Sequence, residues 1–270
     1  MLIFLKLGGS LITDKTREST FLGERMARLS AAIASAMAAR PGLRLLIGHG
    51  SGSFGHFAAY RHGTMQGVAT AEQWQGFAEV ARVAGHLNDL VSEKLAAAGI
   101  PVWPLQPSAS AECVDGDLRY LEARPLQIAL EKGLVPLVYG DVALDTVRGG
   151  AIISTEEIFL YLTPILRPRH ILLLGEVEGV LDQGGHVIPR ITPQILPEIE
   201  AVLGGSRGVD VTGGMAGKVR EMVRLVQTYP ALTIHILSGL EPESVQDALR
   251  DPMHAPGTAI FAEQPGVSDR

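Results

Sequence analysis

Leu2-Ile3-Phe4-Leu5-Lys6-Leu7-Gly8-Gly9-Ser10 opens the chain with an apolar run that carries one lysine near its end and breaks on two adjacent glycines. A short run without polar alternation predicts a strand buried on both faces, as in a parallel sheet covered by helices. The same theme recurs along the chain. Residues 23–40 are Ala-rich, place Leu and Met at helical spacing and stop at Pro41-Gly42. Residues 43–48 read as a second strand. Residues 71–98 read as a long helix with Trp74, Phe77, Val80, Val83, Leu87, Leu90 and Val91 on or near one face, closed by Gly99. Further strands are predicted at 101–105, 134–139, 171–174, 232–237 and 258–261, and further helices at 126–132 and 217–228. Asp115-Gly116, within 113–120, is a hairpin signal. Strands alternating with helices predict an α/β fold, a mainly parallel sheet with helices on both faces. No repeat, low-complexity tract or linker divides the chain. A single domain over residues 1–270 is expected, with two lobes on one continuous sheet.

Composition narrows the function. The chain has 270 residues, 46% hydrophobic and 19% charged, which suits a globular domain with a sizeable core. Lys and Arg number 23 against 29 Asp and Glu, a formal net charge of −6, so a general nucleic-acid binder is not expected. An anionic ligand has to be held by local cations and backbone N–H groups. The one cysteine, Cys113, excludes a disulfide framework and a Cys-based zinc ribbon. No stretch approaches the ~18 apolar residues of a membrane helix. Residues 1–5 are apolar but cut short by Lys6, Gly8 and Gly9, without the basic leader of a signal peptide. A cytoplasmic protein that neither spans nor binds a membrane is the expectation.

Three glycine loops carry the chemistry. In the first, Lys6 sits at a strand end, where open α/β sheets bind ligands, and Gly8-Gly9-Ser10 allows close backbone approach to an anion, with Asp14-Lys15 following. The same glycines also fit a plain turn beside a surface lysine. The second, His49-Gly50-Ser51-Gly52-Ser53-Phe54-Gly55-His56, matches G-x-G-x-x-G. The dinucleotide reading needs an acid at the end of the next strand. Glu72 has the spacing but opens a predicted helix, so phosphate binding survives and nicotinamide binding does not. The two flanking histidines shift the reading toward anion contact. The third, Thr212-Gly213-Gly214-Met215-Ala216-Gly217-Lys218, departs from the nucleotide P-loop at Thr212 and Val219. A helix start with Lys218 still favours phosphate. Between the second and third loops, Ser154-Thr155-Glu156-Glu157 is a capping-box signature. Asp141, after a strand, fits either an orienter of the lysines or a loop-capping carboxylate.

The order of these loops resembles the amino acid kinase family. Lys6-Leu7-Gly8-Gly9-Ser10 is similar to its opening nucleotide motif, His49-Gly50-Ser51-Gly52 to its second glycine loop, and Gly213-Gly214-Met215 with Lys218 to its late nucleotide motif. Thr13-Asp14-Lys15, Gly52-Ser53-Phe54-Gly55-His56 and Pro104-Leu105-Gln106-Pro107-Ser108 narrow the resemblance to the branch that phosphorylates isopentenyl phosphate. The similarity runs from Met1 to Pro256-Gly257-Thr258. Two segments depart. Glu176-Val177-Glu178-Gly179-Val180 stands where members often have Asp-Val-Asp-Gly-Val, and Ser154-Thr155-Glu156-Glu157 where they often have Ser-Gly-Asp-Asp. The resemblance implies the three-layer αβα sandwich of that family, with an N-terminal acceptor-binding lobe and a C-terminal nucleotide-binding lobe. It implies ATP and Mg2+ as cofactors, isopentenyl phosphate as acceptor and a homodimer, with no dedicated protein ligand for the metal. Lys6, Lys15, His56 and Lys218 become the implied catalytic residues. Gly8, Gly9, Ser10, Gly52, Glu176 and Gly214 join Lys6 and Lys218 around the nucleotide. Gly50, Ser51 and Thr155 join His56 around the acceptor. A related kinase acting on a phosphonate such as fosfomycin, or a non-catalytic nucleotide-binding module, is the alternative.

Overall fold

In the first strand, β1 (Leu2–Leu7), side chains point alternately to the two faces of the sheet. Ile3, Leu5 and Leu7 enter one hydrophobic cluster, Leu2 and Phe4 another. Lys6 therefore falls on the Leu2–Phe4 face, at the strand's last turn of the pleat. That one alternation fixes the side of the sheet on which the chemistry lies. The computed structural model describes residues 1–203 and 214–262.

The remaining elements, in order, are α1 (Gly9–Ile12), α2 (Gly23–Ala39), β2 (Arg44–His49), α3 (Gly52–His62), α4 (Ala71–Ala97), β3 (Val102–Pro104), β4 (Glu112–Val114), β5 (Asp117–Tyr120), α5 (Arg124–Glu131), β6 (Val135–Tyr139), β7 (Asp141–Asp145), β8 (Gly149–Ile153), α6 (Thr155–Leu166), β9 (His170–Gly175), β10 (Arg190–Ile191), α7 (Leu196–Leu203), α8 (Gly214–Thr228), β11 (Thr233–Ser238), α9 (Pro242–Arg250) and β12 (Thr258–Phe261). Eight strands form the main sheet in the order β10-β12-β11-β9-β1-β2-β6-β3. Every neighbouring pair is parallel except β11 with β12. Buried side chains of α2, α4 and α9 cover the Ile3–Leu5 face. Those of α5, α6 and α8 cover the Leu2–Phe4 face, together with a four-stranded sheet ordered β5-β4-β7-β8. The alternation of strands and helices predicted the mainly parallel sheet with helices on both faces, and the resemblance implied the αβα sandwich that these layers form.

The predicted hairpin is present. Asp115 and Gly116 take φ of 54° and 90°, the left-handed pair that a two-residue turn requires. Its position is set by Asp145, whose carboxylate accepts from the amides of Asp115, Gly116, Val147 and Arg148 at 2.7–3.2 Å. The apolar stripe of α4 is mostly internal: Val80, Leu87 and Val91 are buried, while Trp74 packs edge-on against Phe77 and remains part-exposed. Among the described residues no helix is long and apolar enough to cross a membrane.

Candidate active site

The parallel strands β1, β2, β6, β9 and β11 all end on one side of the sheet, and the first two glycine loops leave from there, after β1 and β2. The first two loops are packed backbone to backbone. A Cβ on Gly9 would lie 2.6 Å from the Gly52 nitrogen and 2.7 Å from its Cα. Gly52 has φ +50°, and a Cβ there would lie 2.2 Å from Thr13 Oγ1. That hydroxyl donates to Gly9 O at 2.8 Å and accepts from Ser53 N at 3.0 Å, stitching the loops together. Glycine is required here first by protein–protein approach. The amides of Gly8 and Gly50, expected to serve ligands, are spent on the scaffold: Gly8 N donates to Leu174 O at 2.8 Å and Gly50 N to Leu7 O at 3.1 Å. Ser10 lies half-buried in α1, and Ser51 is the residue before the first turn of α3.

Lys6, at the end of β1, forms an ion pair with Glu156 in the first turn of α6. Lys218, on α8, approaches the same carboxylate oxygen at 4.0 Å. Glu156 thus stands between the two lysines that sequence similarity picks out. Burial pushes its carboxyl up, but Lys6 and Lys218 outweigh this and hold it below the usual range. Glu156 is the functional candidate the sequence reading missed. Acids in a first helical turn are ordinary partners of the helix dipole, and that local reading concealed the tertiary one. The local reading holds for its neighbours: Ser154 Oγ accepts from Glu157 N at 3.1 Å and Glu157 Oε2 accepts from Ser154 N at 2.6 Å.

His56 lies on the outer side of α3, open to solvent. Partial desolvation by the surrounding protein, then the charges of Lys15, Lys6 and Lys218, keep its pKa below the ordinary value. The charges of the three lysines are all felt at one imidazole, so the four implied catalytic residues share one neighbourhood, with Glu156 among them. Lys15 is exposed on a strap, residues 14–20, pinned to α3 by Ser19 N to Ser53 O at 3.2 Å and by Arg61 Nη2 to Glu18 Oε1 at 2.6 Å. Gly214 is the first residue of α8. Gly213 and Thr212 of the third loop lie outside the described residues. Glu176, just past β9, pairs with Arg25 Nη1 of α2 at 3.5 Å.

Two expectations need correction, and the open choice at Asp141 is decided for loop capping. His49 is fully buried, stacked on Tyr139, with Nδ1 3.1 Å from Gly50 O and Nε2 3.3 Å from Asn88 Oδ1. Burial pushes its pKa down to about 4, so it is a neutral packing residue and not an anion contact. Thr155 is also buried, and its hydroxyl donates to His49 O at 2.6 Å, so its side chain is not available to a substrate. Asp141 caps a loop, accepting from Ser108 N at 3.0 Å and Val142 N at 2.8 Å, and forms no ion pair with a lysine among the described residues. Glu72 lies in the first turn of α4, far from a strand end, as the argument against a nicotinamide site anticipated.

What the site can do follows from its parts. Glu156 lies in the first turn of α6, and His56 and Lys218 lie near the starts of α3 and α8, so the positive ends of three helix dipoles fall near these groups. Two lysines share one carboxylate, so their ammonium groups are held near one another and near His56. Such a site suits two phosphate-bearing ligands brought end to end. The chain belongs to the amino acid kinase family, whose model matches residues 1–238. Among its relatives, the isopentenyl phosphate kinase of Methanothermobacter thermautotrophicus is 32% identical over 259 residues, covering 92% of this chain and 95% of that protein. The isopentenyl phosphate kinase of Haloferax volcanii is 36% identical over 225 residues, covering 83% and 88%. A crystal structure of an isopentenyl phosphate kinase superposes with a TM-score of 0.80 at 28% identity, covering 96% of this chain and all of that one.

Proposed function

We propose that this chain is an ATP-dependent kinase of isopentenyl phosphate, forming isopentenyl diphosphate and ADP. The observation that carries the reading is the meeting of Lys6 and Lys218 on one carboxylate, close enough for both to be felt at His56, in a chain whose relatives at 32% and 36% identity bear that activity in their names.

The chemistry agrees with the residues. A phosphomonoester has a second pKa near ~6, so the attacking oxygen is already ionised at neutral pH and no general base is needed. The barrier lies in bringing two anions into line, a task for positioning and charge neutralisation. Lys6 and Lys218 hold the ATP phosphates and meet the charge on the transferring group. Glu156 sets the spacing of their ammonium groups and yields part of its hold on them when phosphate oxygens arrive. Amides at Gly9, Ser10, Ser51 and Gly52 face the phosphates. His56 and Lys15 take the acceptor phosphate. The nucleotide then lies on the β9–α8 side, with Glu176 and Gly214 at its margin, and the acceptor on the side of α3 and the strap. Mg2+ typically binds through one or two carboxylates plus substrate phosphates and keeps several waters. On this reading the ion arrives on the ATP phosphates; among the described residues no group of three or more acidic, His or Cys side chains is placed to hold a metal. Bound to ATP, the ion neutralises phosphate charge. A homodimer remains part of this reading and is checked by light scattering.

The test is an ADP-release assay with a panel of small monophosphates, fosfomycin and no acceptor. Turnover with isopentenyl phosphate supports the reading. ADP release with fosfomycin alone, or no acceptor-dependent release, overturns it.

A further inference from the structure

The start of α6 is fastened to the sheet by a residue that touches no ligand in the reading above. Thr155 Oγ1 donates to the carbonyl of His49, the last residue of β2, at 2.6 Å. The same carbonyl accepts Gly140 N at 3.0 Å, from the junction of β6 and β7. One oxygen thereby joins three elements. The methyl group of Thr155 is accommodated as well: a Cβ on Gly48 would lie 2.5 Å from Thr155 Cγ2 and 2.9 Å from Phe159 Cε1. Gly48 pairs in register with Lys6 on the neighbouring strand. Thr155 thus rests on the strand beside Lys6, and the next residue along α6 is Glu156, the carboxylate between Lys6 and Lys218.

The capping box of Ser154 and Glu157 satisfies the helix's own first turn, but both its bonds are internal to residues 154–157. It shapes the turn without saying where the turn sits. Glutamate is long and flexible, so a carboxylate held between two lysines needs its Cα fixed. We propose that Thr155 is a positioning residue for phosphoryl transfer, docking the first turn of α6 on the end of β2 so that Glu156 stands between Lys6 and Lys218. The assignment rests on the kinase reading for its catalytic consequence, but its structural half can be tested without turnover.

The variants are Thr155→Val, which keeps the shape and removes the hydroxyl, and Thr155→Ser, which keeps the hydroxyl and removes the methyl. Thr155→Val leaves His49 O with its bond from Gly140 N, so the carbonyl is not orphaned and the fold is retained. A small misplacement of charged groups at the transfer point costs far more in rate than in binding. Thr155→Val is expected to lower kcat about tenfold or more, with KM for ATP and acceptor within about twofold, and Thr155→Ser to restore kcat to within about twofold of the parent. The second readout is the Glu156 carboxyl titration, followed by carbon NMR on glutamate-labelled protein and assigned by its loss in Glu156→Gln. The charges facing this carboxyl are Lys6 from β1, Lys218 from α8 and Glu157 on its own helix. With Thr155 in place its pKa lies below the usual glutamate value. In Thr155→Val it is expected to rise, as the lysines lose their seat against it, and to return in Thr155→Ser. A parent protein inactive on isopentenyl phosphate would sink the function while leaving this titration to decide the docking role. An unmoved Glu156 titration in folded Thr155→Val overturns the proposal. So does a Thr155→Ser protein as slow as Thr155→Val, which would assign the effect to methyl packing.

Discussion

Lowering the pH should unfold this protein through two histidines remote from the site. His170 on β9 and His235 on β11 are buried with ring centroids 5.6 Å apart. His170 Nδ1 and both ring nitrogens of His235 have no hydrogen-bond partner among the described residues. Burial pushes each pKa from 6.5 down to about 4, helped by Arg169 and Arg40 at His170 and by His170 at His235. The sign follows directly. The unfolded chain binds protons near pH 6.5 and the folded chain resists them until about pH 4, so stability is full above the unfolded value and is lost as pH falls between the two. One such group removes about 2 kcal/mol at pH 5 relative to neutral and about 3 kcal/mol once both states are charged. The pair should not be additive, since charging one ring raises the cost of charging the other. His235→Leu removes two unpartnered buried nitrogens and one titrating group. Urea denaturation at pH 7.5 and pH 5 should show the parent losing stability between them and the variant losing about 2 kcal/mol less, with the variant no less stable at pH 7.5. Equal losses in the two proteins would refute the argument.

Lys6→Ala and Lys218→Ala should each lower kcat by about 2.7–4 kcal/mol of transition-state stabilisation, measured at saturating ATP; near-normal turnover in either removes that lysine from the transfer. His56→Ala should lower kcat/KM for the acceptor about tenfold to a hundredfold with ATP affinity unchanged, as expected for a charge-assisted hydrogen bond. Because desolvation, then the charges of Lys15, Lys6 and Lys218, hold free His56 below its ordinary pKa and a phosphate dianion raises it, acceptor binding at neutral pH should take up a proton, and affinity should fall as pH rises through the pKa of the complex; calorimetry in buffers of different ionisation enthalpy reads this directly. Gly9→Ala should destabilise by ~1–3 kcal/mol, since its Cβ meets backbone at Gly52 that cannot rotate away, and a thermal melt checks it.

How legible all this was in the sequence depended on whether an element's cause is local. Strands β1 and β12 fall where the apolar runs are, and α2, α4 and α5 within a residue or two of their periodic patterns. The strands β7 and β8 were not anticipated: Asp141–Asp145 and Gly149–Ile153 are short and begin on Asp or Gly, and they owe their extension to pairing with one another and to the Asp145 hub. Helix α3 contains Gly52 and Gly55, which are poor helix formers. Gly55 is there because a Cβ would come within 2.6 Å of Ser51, a requirement invisible in spacing. In the site, lysines at strand ends and helix starts announced themselves, because few residues do that job. His49 misled, since a histidine beside a glycine turn looks the same whether it faces a ligand or the core. Asp141 stood equally for two roles until its bonds to Ser108 N and Val142 N were seen. Glu156 was hidden because its partners are Lys6 and Lys218, 150 residues before it in one case.

The contact between Gly9 and Gly52 has a consequence for redesign. Neither glycine can be given a side chain without displacing the other loop's backbone, so the first two glycine loops share one fixed wall. A laboratory seeking a kinase for a bulkier acceptor gains nothing by randomising that wall. The freedom lies in the rest of the strap and toward the end of α3, away from Lys15 and His56, where Tyr60 and Arg61 are exposed. Changes there can reshape what is phosphorylated while the point at which phosphate changes hands stays put.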